Sequence, residues 1–220
     1  MRHAQSITDA AFAHMCTVIR PGLTEKQLRC ELETFMFDHG ADDLAFGSIV
    51  ASGPNTANPH AIPSDRVVEK GDFVLMDYGE GYRDYKSDMT RTVCVMGEPT
   101  QEQLDLYALV RRTHEECVAA IHAGVDGHDI HLLSQKIIGD AGYGEYYGHG
   151  LGHGVGIDIH ELPVFGRKSN IVEEGAVITV EPGIYLPGVG GVRLEDYGVV
   201  TKDGYEPFTT STHELVVIDC

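Results

Sequence analysis

The feature that most constrains how this chain can fold is an internal repeat. The segment 67–79 (VVEKGDFVLMDYG) aligns without a gap to the segment 171–183 (IVEEGAVITVEPG), 104 residues further along the chain. Upstream, the segment 19–24 (IRPGLT) resembles the segment 121–126 (IHAGVD) at an offset of 102 residues. No linker-like stretch separates the two copies. The repeat therefore predicts one domain over residues 1–220, built from related halves of about 1–105 and 106–220.

Each half is predicted to contain two helices followed by strands. Apolar residues recur at helical spacing over 7–18, capping boxes that begin at Thr24 and Thr100 open two further helices, and Asp126 caps a fourth. Short apolar runs between glycine, proline and asparagine indicate strands at 49–51, 73–76 and 92–96, and the chain after about residue 142 is strand-like. This order predicts an α+β fold.

The repeat places two acidic residues at equivalent positions, each at the end of an apolar strand. Asp77 closes the run FVLMD, and Glu181 closes the run VITVE. A carboxylate at such a position is costly to bury without a partner. A second acidic residue follows in each half, because Asp88 lies 11 residues after Asp77 and Glu195 lies 14 residues after Glu181. Two halves related in this way would bring four carboxylates to one site, and such a site needs cations.

A glycine-rich segment, GHGLGHGVG over 148–156, carries two histidines four residues apart. On a helix, His149 and His153 would suggest a zincin-type zinc pair, but the alternating glycines disfavour a helix and the glutamate of that signature is absent. A glycine-rich strand or turn would instead let the backbone pack closely and direct the two imidazoles separately. His60 and His160 occupy comparable short runs, HAIP and HELP, in the two halves.

Five of these segments, taken in order, resemble one protein family. FVLMDYG, SDMTRT, GHGLGHGVGIDIHE, VEPGIY and VRLED are similar to the catalytic domain of the Xaa-Pro peptidases, the prolidase and aminopeptidase P branch of the pita-bread metallopeptidases. The resemblance covers nearly the whole chain. It implies a pita-bread fold, in which two pseudo-symmetric halves form a central curved antiparallel sheet with helices outside it. Most members of this branch carry a further N-terminal domain, which we expect to be absent here because the chain opens directly on the first helix.

The resemblance implies five ligands for two divalent metal ions. Asp77 would chelate one ion, Asp88 and Glu195 would bridge both, and His153 and Glu181 would complete the coordination of the other. Four carboxylates and one imidazole make an oxygen-rich set that suits Mn²⁺ best, with Co²⁺, Zn²⁺ and Fe²⁺ as alternatives.

The resemblance also implies the catalytic residues. His60, His149 and His160 match histidines of the family that bind substrate and handle protons. Arg193 matches an arginine that holds nearby carboxylates in place. Glu181 is the carboxylate that we expect to shuttle the proton.

These residues lead to an expected reaction. Two ions ~3.5–4 Å apart would hold a hydroxide between them, and this hydroxide would attack the peptide bond between an N-terminal residue and proline. We therefore expect an Xaa-Pro aminopeptidase or Xaa-Pro dipeptidase that acts on small peptides with proline in second position, and the two substrate lengths stay open. A methionine aminopeptidase-like enzyme and a non-catalytic pita-bread domain that binds peptides are the alternatives.

Composition bears on partners and location. The chain has 34 acidic against 16 basic residues and a formal net charge of −18, which argues against binding to nucleic acid. It has no apolar run of about 20 residues and no apolar signal-peptide core at its start, so we expect no membrane partner. The cysteines form no CxxC pair and indicate reduced thiols in the cytoplasm: Cys16, Cys30, Cys94, Cys117 and Cys220. A homodimer is compatible with these features.

Overall fold

The first half of the chain begins with two helices, α1 (Arg2–Val18) and α2 (Glu25–Asp38). The computed structural model describes residues 1–219, and Cys220 lies outside them. Helix α2 opens on the predicted capping box, in which Thr24 and Gln27 each accept the other's backbone N–H through their side chains. Six strands follow: β1 (Asp43–Leu44), β2 (Ile49–Ser52), β3 (Phe73–Tyr78), β4 (Glu80–Tyr82), β5 (Tyr85–Lys86) and β6 (Met89–Val95).

The second half has the same order of elements. Helix α3 (Gln101–Ala120) opens on the second predicted capping box, and helix α4 (Gly127–Asp140) is capped by Asp126, whose side chain accepts the His128 backbone N–H. Eight strands follow: β7 (Gly152–Gly154), β8 (Glu161–Phe165), β9 (Val177–Val180), β10 (Gly183–Leu186), β11 (Gly190–Arg193), β12 (Asp196–Thr201), β13 (Gly204–Pro207) and β14 (Val217–Ile218).

Equivalent backbone hydrogen bonds occur in the two halves. The N–H of Gly22 donates to the carbonyl of Val68 at 3.0 Å, and the N–H of Gly124 donates to the carbonyl of Val172 at 2.7 Å. Both glycines have positive φ, 98° and 88°, a conformation that glycine adopts without steric cost. The turn before the second helix of each half is therefore fixed in the same way.

Two sheets carry most of the strands and meet at the centre of the molecule. A four-stranded sheet has the order β14-β6-β3-β2, and a five-stranded sheet has the order β13-β12-β9-β7-β8. A single antiparallel bridge between Thr90 and Glu195 joins them, with the Glu195 N–H donating to the Thr90 carbonyl at 3.1 Å. Three short strands, β1, β4 and β5, and the hairpin β10–β11 form separate small sheets. The first half thus contacts the second beside an acidic residue.

The helices cover the sheets through apolar faces. In the first half, Ile7 and Met15 of α1 and Leu28 of α2 are buried in one cluster with Val74 of β3. In the second half, residues of α3 and α4 are buried against the strands in the same manner. Each such buried side chain contributes about 1.5–3 kcal/mol through removal of apolar surface from water. The apolar core therefore lies between the helices and the sheets.

The predicted α+β class is confirmed, and so are the four helices and the three early strands. Helix α2 ends at Asp38, just before Gly40, whose φ is 103°. The sheet is divided in two rather than continuous, because a single bridge joins the two sheets within the described residues. The halves also meet at β14, a strand of the second half that pairs in parallel with β6 of the first. Within the described residues, none of the helices combines the length and the apolar character needed to cross a bilayer.

Candidate active site

One cleft of about 390 Å³ brings together all nine residues that the sequence singled out. Its walls come from both halves of the chain, and from loops as well as strands. Apolar side chains of Phe46, Ile49, Ile159 and Val164 complete the lining. The nine predicted residues in the lining are His60, Asp77, Asp88, His149, His153, His160, Glu181, Arg193 and Glu195.

The four carboxylates lie where strands of the two sheets meet. Asp77 is on β3, Asp88 directly precedes β6, Glu181 follows β9, and Glu195 lies between β11 and β12. Ligand atoms of Asp88, His153 and Glu195 all lie within 4.8 Å of one another. The Nε2 atom of His153 is 3.6 Å from Oδ2 of Asp88 and 3.6 Å from Oε1 of Glu181. The internal bridge between the sheets therefore draws acidic side chains from both halves around one imidazole.

The protein supplies little positive charge to balance the negative charges of these carboxylates. Burial raises the pKa of Asp88, Glu181 and Glu195 above the usual ranges, and repulsion between neighbouring carboxylates raises it further. The guanidinium of Arg193 acts in the opposite direction, but it is a single positive charge beside four acidic groups. Within the described chain, Oδ1 of Asp77 and Oδ1 of Asp88 are buried and have no hydrogen-bond partner. Unpaired oxygens in an acidic cluster beside an imidazole fit divalent cations.

The two histidines of the glycine-rich segment differ in what their Nε2 atoms face. In both rings Nδ1 lies against a backbone carbonyl, that of Gly154 for His153 (3.0 Å) and that of Gly150 for His149 (2.7 Å). Burial lowers the pKa of both rings to about 4, so both are neutral at pH 7 with the proton on Nδ1. The Nε2 lone pair of His153 is directed at the acidic cluster, whereas Nε2 of His149 is 2.9 Å from the hydroxyl of Tyr185. Only His153 thus offers a free ligand atom to a cation.

The segment adopts a strand rather than a helix, as its glycines predicted. His153 is at the middle of β7, which lies between β8 and β9. A Cβ atom at Gly152 would overlap the carbonyl oxygen of Thr179. The glycine therefore allows the close approach of β7 to β9 that holds His153 beside Glu181.

His60 and His160 lie at the mouth of the cleft. Both side chains are exposed, and each is in a loop outside the regular strands. The His160 ring lies 4.4 Å from the His153 ring, centroid to centroid, at an angle of 60°. These positions allow both imidazoles to reach a molecule that enters the cleft.

Arg193 is buried at the base of the cleft and connects several of its residues. Its Nη2 donates to Asp77, its Nη1 donates to the Tyr185 hydroxyl at 2.8 Å, and its Nε donates to the Thr90 hydroxyl at 3.0 Å. The Thr90 hydroxyl in turn donates to Oε2 of Glu195 at 2.7 Å. Arg193 therefore contacts Asp77 of the first half directly and Glu195 of the second half through the Thr90 hydroxyl.

Tyr185 and Thr90 are residues of the site that the sequence reasoning did not single out. Burial raises the pKa of Tyr185 to about 12, so the phenol keeps its proton and can donate it to Nε2 of His149. A Cβ atom at Gly183 would overlap the Tyr185 hydroxyl, so this glycine leaves room for the contact. Both residues lie inside quoted motifs, VEPGIY and SDMTRT, and that position was the one available signal.

Arg91 supports Glu195 from behind the cleft. Its side chain is fully buried, and its Nη1 donates to the carbonyl oxygen of Glu195 at 2.6 Å. Its Nη2 donates to Oδ1 of Asp196 at 2.7 Å, and despite burial this guanidinium lowers the pKa of Asp196. The backbone that carries Glu195 is therefore held rigidly by a charged pair on the side away from the cleft.

Comparison with known proteins relates the chain to peptidases. Residues 1–202 match Peptidase_M24, metallopeptidase family M24. The chain is 42% identical over 219 residues to the uncharacterized peptidase YqhT of Bacillus subtilis, a match that covers 99% of this chain and 62% of that protein.

Solved structures of similar proteins have the same fold. The Xaa-Pro dipeptidase from Bacillus anthracis superposes with a TM-score of 0.96 at 45% identity, covering 98% of this chain and 61% of that chain. The X-Pro aminopeptidase from Thermotoga maritima MSB8 superposes with a TM-score of 0.96 at 39% identity, covering 99% of this chain and 62% of that chain. The chain spans about three fifths of the length of the proteins it matches.

Proposed function

The chain belongs to metallopeptidase family M24 and has a pita-bread fold, and from this we propose that it hydrolyses the peptide bond between an N-terminal residue and proline. The observation that carries the proposal is the convergence of four acidic side chains and Nε2 of His153 on one cleft. Substrates would be small peptides with proline in second position. We propose Mn²⁺ as the metal, with Co²⁺, Zn²⁺ and Fe²⁺ as alternatives.

Five residues would hold two divalent ions. Asp77, Asp88 and Glu195 would bind one, and His153 and Glu181 would complete the site of the other together with the shared carboxylates of Asp88 and Glu195. When bound, such ions polarise a carbonyl group and activate a water molecule. The unpaired oxygens of Asp77 and Asp88 support this assignment, because both are buried and lack a donor from the described protein.

The remaining residues of the cleft would orient the substrate and handle its protons. Glu181 lies beside His153, and its raised pKa suits a group that accepts a proton and passes it to the leaving nitrogen. His149 is held by Tyr185 and the Gly150 carbonyl, so its ring would be a fixed surface that orients the substrate. His60 and His160 would contact the peptide at the mouth of the cleft.

The shape and charge of the cleft suit an N-terminal Xaa-Pro sequence. A proline nitrogen has no N–H to recognise, so selection for proline requires an apolar surface that fits its ring. Phe46, Ile49, Ile159 and Val164 supply apolar surface in the cleft wall. The acidic cluster would attract the α-ammonium group of a peptide, which favours substrates that end within the cleft.

We further propose that residues 1–220 form one catalytic domain of two related halves, located in the cytoplasm. The free thiols of Cys16, Cys30, Cys94 and Cys117 support a reducing compartment. A homodimer is the assembly that we would test first, by light scattering of the purified chain.

The function is tested by peptide hydrolysis after metal removal with EDTA and reloading with Mn²⁺. We expect cleavage of Ala-Pro-Ala and no comparable cleavage of Ala-Ala-Ala or Met-Ala-Ala, the last of which would be preferred by a methionine aminopeptidase. Absence of cleavage of every Xaa-Pro peptide by the metal-loaded protein would contradict the proposal.

A pair of variants relates activity to the cluster. Glu195→Gln should lose bound metal and activity, because it removes a charged ligand. Glu80→Gln is the matched control, since Glu80 is also a fully buried carboxylate but does not line the cleft. Equal losses in both variants would point to general destabilisation instead of metal binding.

A further inference from the structure

The charge of the cleft walls bears on the length of the peptide that fits. Among the described residues that line the cleft, Arg193 is the only arginine or lysine. It is 3% exposed, and each of its three side-chain nitrogens already donates to a protein oxygen. The other polar groups of the lining are carboxylates and imidazoles. The described cleft therefore has no free cationic side chain to receive an anion.

An Xaa-Pro dipeptide would bring an anion into this cleft. The carboxylate carbon of its proline is only about 2.5 Å from the nitrogen of the scissile bond, so it cannot avoid the reaction centre. A carboxylate that loses water without gaining a cationic partner is disfavoured. The net charge of −18 adds repulsion. In a longer peptide the same carbon is a neutral carbonyl, and each added residue in an extended chain places the terminal charge up to about 3.3–3.6 Å further out.

Two strongly exposed apolar side chains follow the histidines at the mouth of the cleft closely in sequence. Ile62 is 84% exposed and Leu162 is 77% exposed, and each follows a cleft histidine, His60 or His160, by two residues. The two positions correspond in the runs HAIP and HELP of the two halves. Both side chains are therefore free of protein contacts over most of their surface and are available to residues of a peptide that extends past these histidines.

From these observations we propose, resting on the proposed function, that the chain selects Xaa-Pro peptides whose proline is followed by an amide bond and discriminates against free dipeptides. Val164 is the position that determines this selection. It lines the cleft and is paired with His153 across β7 and β8, so a cation at this position would lie beside the reaction centre. Valine there provides only apolar contact.

The test compares three substrates that differ in charge and length: Ala-Pro, its C-terminal amide and Ala-Pro-Ala. The amide has the size of the dipeptide without its negative charge. We expect kcat/KM of the Mn²⁺-loaded chain to be about tenfold or more higher for the amide and the tripeptide than for Ala-Pro. Cleavage of Ala-Pro at least as efficient as cleavage of its amide would overturn this inference and leave the proposed function intact. Failure to cleave all three would overturn both.

Two variants of Val164 test the position itself. Val164→Arg should raise kcat/KM for Ala-Pro relative to its amide about tenfold, because it supplies the missing cation. Val164→Gln is the matched control, since it adds length and polarity without charge and should keep the wild-type ratio. The ratio is internal to each variant, so partial loss of folded protein does not alter it. An unchanged ratio in Val164→Arg, or an equal change in both variants, would refute the role of Val164.

Discussion

Replacement of Tyr185 by phenylalanine tests whether the buried chain of hydrogen bonds from Arg193 to His149 serves the reaction. The hydroxyl accepts from Nη1 of Arg193 at 2.8 Å and contacts Nε2 of His149 at 2.9 Å. Phenylalanine keeps the ring between its neighbours and removes only the oxygen. The variant therefore leaves one donor and one acceptor without their partner in a buried setting.

The expected magnitude follows from these two contacts. A buried polar group that loses its partner costs about 1–3 kcal/mol. Arg193 recovers part of this lost free energy, because its Nη1 also reaches the carbonyl of Pro59 at 3.3 Å. His149 has no such replacement among the described residues and loses the contact that fixes its ring. A loss of about 1.4–2.7 kcal/mol from the transition state corresponds to a fall in kcat of about 10- to 100-fold. Both metal ions should stay bound, since no proposed ligand is changed.

Steady-state hydrolysis of Ala-Pro-Ala and metal analysis by mass spectrometry would measure both effects. Tyr147→Phe is the matched control, because Tyr147 is equally buried and its ring packs edge-on against His149 at 5.2 Å. Its hydroxyl bonds to Ser134 and to no residue of the cleft. We expect this variant to keep kcat within about threefold of wild type. The reasoning is refuted if Tyr185→Phe keeps full activity, or if the two variants lose activity equally.

Three further predictions concern the metal cluster and a buried carboxyl outside it. Asp88→Ala should abolish turnover and lower the metal content, and a variant that is active with two ions bound would remove Asp88 from the site. His153→Ala should lose metal, whereas His149→Ala should keep it and lose activity about 10²-fold, and the reverse metal contents would exchange their roles. Burial raises the pKa of Glu80 from 4.5 to about 7, so the folded chain keeps a proton that the unfolded chain releases. The free energy of unfolding of the metal-free chain should therefore fall by up to about 3 kcal/mol between pH 4.5 and pH 7. Urea unfolding of metal-free Glu80→Gln should lack this part of the dependence of the free energy on pH.

Local signals in the sequence were sufficient to predict the elements that hold the site. Capping residues such as Thr24 and Asp126 act within one helical turn, so their effect is readable without knowledge of the fold. The repeat added long-range information, because it made Asp77 and Glu181 equivalent before any strand pairing was known. Their meeting in one cleft follows from that equivalence, while the roles of the individual residues stay predictions.

Contacts that depend on the approach of distant strands could not be predicted in this way. Thr90 and Glu195 are 105 residues apart and meet at the one bridge between the sheets. Val164 carries no charge and has an ordinary strand role in most proteins, so nothing in its local sequence marks it. Tyr185 is marked only by its place in the motif VEPGIY. Arg91 resembles a surface residue by type, yet it is fully buried, because Asp196 and backbone carbonyls satisfy its guanidinium.

The histidines of the glycine-rich segment illustrate the physical origin of this limit. His149 and His153 have the same flanking glycines, the same Nδ1 partner type and similarly lowered pKa values, so composition and spacing treat them alike. Their difference lies at Nε2, where His153 meets acidic side chains and His149 meets the hydroxyl of Tyr185, 36 residues further along the chain. An imidazole whose Nε2 lone pair already accepts a hydrogen bond cannot give the same lone pair to a cation. The difference in what the two Nε2 atoms face is therefore made by a third residue on the hairpin β10–β11, and substitution of that residue is the change that should make the two histidines more alike.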